Sequence, residues 1–83
     1  MDFKVYVLIE IPILEKECEL FVPADRRLHE IITIVKQNIP ELSKGYYKNH
    51  NPKLISKSTG KEYDLNEFVK NTDIKMGTRL LII

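Results

Sequence analysis

The sequence predicts a small α+β domain in which one amphipathic helix packs on a β-sheet. Two early segments, 3–9 and 17–22, alternate apolar and polar residues, which is the pattern of half-buried strands. From Leu28 to Ile39 apolar residues recur every three or four positions, as they do on one face of a helix. The chain ends in a wholly apolar run, 80–83, so we expect the last strand at the centre of the sheet.

Size and composition limit the classes of protein that this chain can represent. At 83 residues, 43% hydrophobic and 30% charged, it has the composition of a globular protein with one core, so we expect one domain over 1–83. The net charge of +1 gives no reason to expect nucleic acid or an anionic membrane as a partner. The single cysteine and the lack of signal-peptide features at the N-terminus favour the cytoplasm. The longest apolar run is too short to insert into a membrane, and we expect no cofactor or metal.

The helix is the most strongly predicted element, and we expect it to span about 26–38. Asp25 is placed to cap the free N–H groups of its first turn. Pro40 forces Ile39 out of helical geometry and ends the helix. Its apolar face consists of Leu28, Ile31, Ile32, Val35 and Ile39.

The two early segments form a hairpin that can cover this apolar face. Pro12 cannot donate a ladder hydrogen bond, so the hairpin connection is expected near it. Alternation turns Tyr6, Leu8, Glu19 and Phe21 outward. The side chains expected to face the helix are Phe3, Val5, Val7, Ile9, Cys18, Leu20 and Val22.

The second half of the chain completes the sheet. A polar, turn-rich loop is expected at 41–52, and Asp64 is placed to cap a single helical turn that buries Leu65 and Phe68. The other expected elements are a short strand at 53–57, a turn at 58–60, a return strand at 61–63, a tight turn at 75–77 and the final strand at 78–83.

This order of elements resembles the ubiquitin-like β-grasp fold. From Leu54 onward the resemblance includes a Leu-Ile strand, a glycine turn, a short helix leading to Ile74 and a Gly-x-x-Leu entry into the last strand. Residues 19–24, Glu-Leu-Phe-Val-Pro-Ala, are similar to the lead into the helix of the YukD-like family. That resemblance implies a ubiquitin-like accessory component of the type VII (Ess, WXG-type) secretion systems of Gram-positive bacteria. The loop at 43–52 is richer in Lys and Tyr than the family pattern.

Comparison with other β-grasp proteins argues against two kinds of chemistry. Ubiquitin and sulfur carriers act through a flexible C-terminal Gly-Gly, whereas this sequence stops at Ile83 inside the predicted last strand, so we do not expect conjugation. β-Grasp ferredoxins need four cysteines for their cluster, and only Cys18 is present. We therefore expect a non-enzymatic interaction module.

The outward apolar residues of the sheet are the first candidate site. We predict that a protein partner, a component of the secretion system, binds Tyr6, Leu8, Ile55 and Leu81. Ubiquitin-like proteins bind partners around the positions that match Ile55 and Leu81. A homodimer contact and cover by the loop are the alternatives. The charged rim is expected to be Lys48, Lys53, Lys57 and Arg79.

The rival site is the lysine-rich segment 44–61, which suggests a small protein that binds RNA or single-stranded DNA. It contains five lysines and no acidic residue. A surface that binds single-stranded nucleic acid combines cationic side chains, which bind the phosphates, with aromatic rings, on which the bases stack. We favour an ordinary solvated loop, because the net charge is near neutral. The residues concerned are Lys44, Tyr46, Tyr47, Lys48, His50, Lys53, Lys57 and Lys61.

The remaining reactive side chains do not combine into a catalytic site. Cys18 lies on the inward side of its strand, where packing is its expected role. His29 and His50 each stand alone and are expected on the surface. The Ser-Thr-Gly-Lys sequence at 58–61 lacks the glycine spacing and the following helix of a phosphate-binding loop, so we interpret it as a hairpin turn.

Overall fold

The computed structural model describes residues 3–40 and 52–83. In this part of the chain four strands form one mixed sheet with the spatial order β2-β1-β4-β3. Strand β1 pairs antiparallel with β2 and parallel with β4, and β3 pairs antiparallel with β4. The elements in chain order are β1 (Lys4–Ile11), a 3₁₀ turn (Pro12–Leu14), β2 (Lys16–Pro23), helix α1 (His29–Asn38), β3 (Leu54–Ser56), a second 3₁₀ turn (Val69–Asn71) and β4 (Thr78–Ile82).

The predicted hairpin is confirmed, with one correction at its start. Pro12 begins the connection, and Glu15 closes it in the left-handed conformation with φ of 52°, donating its N–H to the Pro12 carbonyl at 3.1 Å. Strand β1 extends to Ile11, which is fully buried. The prediction that Phe3 faces the core is wrong. Phe3 precedes the strand and is 70% exposed.

Helix α1 ends where predicted but begins later. Ile39 is extended, with φ of −127°, and Pro40 follows it. The predicted cap by Asp25 is wrong, because the residue before the first helical residue is Leu28 and no side chain caps it. Backbone carbonyls from a distant segment satisfy the first N–H groups instead: Leu28 donates to Glu67 at 2.9 Å and His29 donates to Leu65 at 3.0 Å.

Strand β3 and its turn follow the prediction, but the return strand does not. Gly60 takes a positive φ of 76° and donates its N–H to the Ser56 carbonyl at 2.8 Å. The strand predicted at 61–63 is reduced to a single bridge between Ile55 and Glu62. Two backbone hydrogen bonds flank this bridge: Ser56 donates its N–H to the Lys61 carbonyl at 2.8 Å, and Tyr63 donates its N–H to the Leu54 carbonyl at 2.9 Å. Tyr63 is buried, and its hydroxyl donates to Asp73 Oδ1 at 2.7 Å.

The helical turn predicted at 64–69 is displaced along the chain. Asp64 Oδ1 accepts a hydrogen bond from the N–H of Asn66 at 2.9 Å, which makes a local turn rather than a helix. Phe68 is extended because its backbone forms a bridge with Arg27. The turn therefore begins at Val69, which is fully buried, whereas Leu65 and Phe68 are only partly buried.

The last strand lies at the centre of the sheet, as predicted. Thr78 donates its N–H to the Lys75 carbonyl at 3.0 Å, which closes the predicted tight turn, and Gly77 has a positive φ of 84°. Leu80 and Ile82 are fully buried. The core fills the space between the sheet and α1, whose apolar face of Leu28, Ile31, Ile32, Val35 and Ile39 is buried as predicted.

The loop expected at 41–52 lies, except for Pro52, outside the described residues. Among the residues described, no helix has the length and apolar character needed to cross a membrane.

Candidate functional site

Helix α1 covers one face of the sheet, and within residues 3–40 and 52–83 no helix lies over the other face, which we call the outer face. The four predicted binding residues lie on it, two on β1 and one each on β3 and β4. Ile55 and Leu81 are directly paired across β3 and β4. Tyr6 and Leu8 follow one another along the same side of β1. All four are partly buried, and their binding role remains a prediction.

Charged side chains divide these four residues into two groups. The strand register pairs Leu8 with Arg79 and Glu10 with Leu81. Lys57 Nζ lies 2.5 Å from Glu10 Oε1, and this ion pair crosses above β4, the strand between β3 and β1. The outer face therefore carries two apolar groups separated by charge, rather than one continuous patch.

The larger exposed apolar group is centred on Tyr6. The ring centroids of Tyr6 and Phe21 are 5.3 Å apart, with the rings tilted at 49°. The backbone N–H of Tyr6 donates to Met76 Sδ at 3.2 Å, which places the side chain of Met76, in the turn before β4, beside the backbone of Tyr6. Phe21 is 62% exposed and Met76 is 63% exposed. We call Tyr6, Phe21 and Met76 the Tyr6 cluster.

Sequence reasoning did not assign Phe21 or Met76 to the site. The alternation of β2 did turn Phe21 outward, and its pairing with Tyr6 follows from the hairpin register. Met76 gave no periodic signal because it lies in a turn, and its place beside Tyr6 depends on the parallel pairing of β1 with β4.

The electrostatic surroundings keep the hydroxyl of Tyr6 protonated. Removal of the group from water raises its pKa, and the carboxylate of Glu19 on the neighbouring strand raises it further by hydrogen bonding and by its negative charge. The Tyr6 cluster is therefore uncharged at neutral pH, with an acidic residue beside it.

The charges of the outer face are separated by strand. Glu17 and Glu19 project from β2, at one edge of the sheet. Of the predicted basic rim, Lys53 and Lys57 lie at the other edge, beside β3, and Arg79 lies on β4. All three are exposed. Lys48, the fourth member, lies outside the described residues.

The other reactive side chains are not brought together. Cys18 is partly buried, and burial raises the pKa of its thiol, which disfavours the thiolate. His29 is exposed at the first position of α1, and His50 lies outside the described residues. Within residues 3–40 and 52–83, no three His, Cys, Asp or Glu side chains are grouped so that they could hold a metal ion.

The lysine-rich segment proposed as a nucleic-acid surface is described only in part. Lys57 is engaged with Glu10, and Lys61 Nζ lies 5.4 Å from the centroid of the Tyr63 ring. Lys53 is exposed at the edge of the sheet. The rings and the remaining lysines of that prediction lie outside the described residues: Lys44, Tyr46, Tyr47, Lys48 and His50.

Comparison with known proteins defines the class of fold. The sequence matches no protein-family model and no curated protein. A structure described under molecular mimicry of SUMO superposes with a TM-score of 0.77 at 15% identity, covering 96% of this chain and 90% of that one. The ubiquitin of Caldiarchaeum subterraneum gives a TM-score of 0.71 at 15% identity, covering 98% of this chain and 92% of that one.

A third similar structure is protomer 1 of the ESX-3 core complex. Its TM-score is 0.70 at 17% identity, and the match covers 98% of this chain but 16% of that much longer chain. Together with the mixed four-stranded sheet and its single helix, these likenesses establish a ubiquitin-like β-grasp fold.

Proposed function

We infer that this chain is a non-catalytic, ubiquitin-like protein-interaction module that binds a protein partner on the outer face of its sheet. The proposal depends on the exposure of two large apolar side chains beside Tyr6: Phe21, whose ring packs against the ring of Tyr6, and Met76, whose sulfur accepts a hydrogen bond from the Tyr6 N–H. Grouped apolar side chains on an otherwise polar surface mark binding sites more often than isolated ones do.

The Tyr6 cluster is expected to supply most of the binding energy. Fully burying an exposed phenylalanine or methionine side chain contributes about 1.5–3 kcal/mol, and aromatic residues in the middle of an interface commonly dominate its affinity. Lys57, Arg79 and Glu19 border the apolar groups and are suited to orient the partner rather than to add much affinity.

We place the partner among the components of a type VII secretion system, on the cytoplasmic side. Two observations support this placement. Residues 19–24 resemble the lead into the helix of the YukD-like family. A domain of the same fold occurs within a chain of the ESX-3 core complex.

The proposal is tested by capturing a partner with matched surface variants. The variant Phe21→Ser/Met76→Ser removes the exposed apolar surface of the Tyr6 cluster. Ile13→Ser is the control, because Ile13 is 69% exposed but lies in the hairpin turn at the end of the sheet. Circular dichroism confirms that the variants are folded.

We expect wild type and Ile13→Ser to capture the same protein from cytoplasmic extract of the source cells, and the double variant to lose it. Equal capture by all three proteins would refute the role of the Tyr6 cluster. Capture of proteins unrelated to secretion, lost in the double variant, would retain the interaction module and refute the secretion partner.

A further inference from the structure

Strand β2 forms an open edge of the sheet. It lies at one end of the strand order, and β1 is its neighbour on one side. The strand at the other end, β3, is flanked on its outer side by residues 61–63, which exchange backbone hydrogen bonds with it at 2.8 and 2.9 Å. Within residues 3–40 and 52–83, β2 is therefore the edge strand with one whole side unpaired.

The hydrogen bonds of β2 show which of its residues face the open side. Ala24, next to the strand, donates its N–H to the Phe3 carbonyl at 2.8 Å. Because bonded residues alternate along an antiparallel strand, every second residue before Ala24 also bonds to β1. The backbone groups of the residues between them point away from the sheet and form no hydrogen bond within the described ranges: Glu17, Glu19 and Phe21.

An extended segment of a partner can bind this side as an added strand. In the antiparallel orientation, each of the three residues exchanges two hydrogen bonds with the residue directly opposite. Unpaired N–H and C=O groups along an edge are what allows another strand to pair with it. The segment needs to cover only positions 17–21.

The side chains along the edge determine which segment fits. Glu17 and Glu19 are exposed on the outer face, and neither belongs to an ion pair in the described part of the chain. Residues directly opposite each other on paired strands share a face, and opposite charges there stabilise the pairing. Basic side chains opposite the two glutamates would therefore neutralise them. An apolar side chain opposite Phe21 would extend the Tyr6 cluster.

The other side chains of the added strand would lie on the same face as α1. They would lie opposite Leu20, which is buried, and Cys18, which is partly buried. Apolar residues at these two positions would continue the core.

A second copy of β2 fits this edge less well. The antiparallel register that uses all three open residues of both copies sets Glu19 opposite Glu19. Like charges directly opposite each other destabilise a pair of strands. Charge therefore favours a partner segment with basic residues at alternate positions.

We propose that β2 binds an extended segment of the protein partner as an added antiparallel strand, with the pattern apolar-apolar-basic-apolar-basic from its N-terminal to its C-terminal end. The first of these residues lies opposite Phe21 and the last opposite Glu17. The proposal deepens the proposed function and rests on it, because Phe21 belongs both to the Tyr6 cluster and to this edge.

Two synthetic peptides and the full chain test the pattern. In acetyl-TVVKVKT-amide the lysines lie two positions apart, so both project from the same side of a strand, toward Glu19 and Glu17. The control acetyl-TVKVVKT-amide has the same composition, but its lysines lie three positions apart and project from opposite sides. NMR titration of the labelled chain gives the affinity, and amide hydrogen exchange shows which N–H groups become protected.

Two substitutions at one position separate the backbone from the charge. Glu19→Pro removes an N–H that points away from the sheet and leaves the hydrogen bonds to β1 in place, so the fold is retained. Glu19→Gln keeps the N–H and removes the charge. Glu62→Gln, at an exposed position beyond β3, is the control for net charge. Circular dichroism confirms that the variants are folded, and the comparison of the two peptides on wild type depends on no variant.

We expect wild type and Glu62→Gln to bind the first peptide with a dissociation constant of about 0.1–1 mM, the range of a short edge contact. Hydrogen exchange should slow at Glu17, Glu19 and Phe21. The affinity should fall at least about threefold in Glu19→Gln and at least about tenfold in Glu19→Pro. The control peptide should bind wild type at least about tenfold more weakly.

Four results would each overturn the added strand: no binding to wild type, equal binding of the two peptides, a folded Glu19→Pro variant that binds like wild type, or protection at other amides only. If the peptide does not bind while Phe21→Ser/Met76→Ser still loses its captured partner, the added strand is refuted and the proposed function stands. Peptide binding as expected, with capture unchanged in that double variant, would retain the added strand and refute the role of the Tyr6 cluster.

Discussion

Lys57 and Glu10 form an ion pair across β4, which joins two strands that are not neighbours in the sheet. The 2.5 Å contact holds both side chains over the middle of the outer face. It separates the Tyr6 cluster from the pair formed by Ile55 and Leu81. Because both charged groups are partly exposed, the pair is expected to shape the surface more than it stabilises the fold.

The first prediction is that this ion pair adds little to stability. In a double-mutant cycle of Glu10→Gln and Lys57→Met, we expect a coupling energy of about 0.5 kcal/mol, which falls as salt screens the charges. Urea unfolding of the four proteins measures it. A coupling energy above about 2 kcal/mol would mean that the pair is a structural element and not mainly a surface feature.

The second prediction concerns the contact between the helix and the sheet. Ile31 is almost completely buried on the apolar face of α1. Ile31→Ala should lower the free energy of unfolding by about 2–5 kcal/mol, because it leaves a cavity in the core. Gln37→Ala, at an exposed position of the same helix, should change it by less than about 0.5 kcal/mol. Equal effects of the two substitutions in urea unfolding would contradict the packing of α1 on the sheet.

The third prediction is a loss of stability at high pH that depends on Tyr63. Burial, followed by the hydrogen bond to Asp73, raises the pKa of Tyr63 from 10.0 to about 12. The folded state thus holds the phenolic proton more tightly than the unfolded state does. Its contribution is complete below pH 10 and is lost as the pH rises to about 12. Wild type should lose stability more steeply than Tyr63→Phe across this interval, and parallel profiles in urea unfolding would show that the pKa is not raised.

The fourth prediction concerns the turn that positions Met76. Gly77 has φ of 84° and donates its N–H to the Tyr6 carbonyl at 2.8 Å, so the turn is attached to β1. An added Cβ would meet no atom within 4 Å, so the cost of Gly77→Ala arises from the backbone alone. We expect about 1–2 kcal/mol of destabilisation, and less for Gly77→Asn, because asparagine tolerates this conformation better. Thermal unfolding that ranks the two variants in the opposite order would contradict this explanation.

The helix shows which features of the fold could be predicted from sequence. Its buried face and its end depend on local properties, namely the spacing of apolar residues and the restriction that Pro40 places on Ile39. Its start does not. The carbonyls of Leu65 and Glu67 satisfy the first N–H groups, and these residues lie far away along the chain. Asp25 had the right chemistry for a cap but lies outside the helix by three residues, 26–28.

The candidate site likewise combines features that local sequence predicts with features that depend on residues far apart in the chain. Alternation along single strands placed Tyr6, Leu8, Ile55 and Leu81 outward, but it gave no information on which residues lie side by side on different strands. That depends on register, which sets Arg79 beside Leu8 and allows Lys57 to reach Glu10. The prediction for Phe3 was wrong for a related reason: alternation does not show where a strand begins, and Phe3 precedes β1 and is exposed.

The measurement that tests the central claim most directly is photo-crosslinking from the outer face in living cells. The substitution Phe21→p-benzoylphenylalanine places the reactive ketone in the Tyr6 cluster, and the same substitution at Ile13 places it at a similarly exposed position off the face. If the outer face is a protein-interaction surface, irradiation will join position 21 to a protein, either another component or a second copy, and position 13 will give no such product. Equal products from both positions, or none from position 21, would contradict the claim.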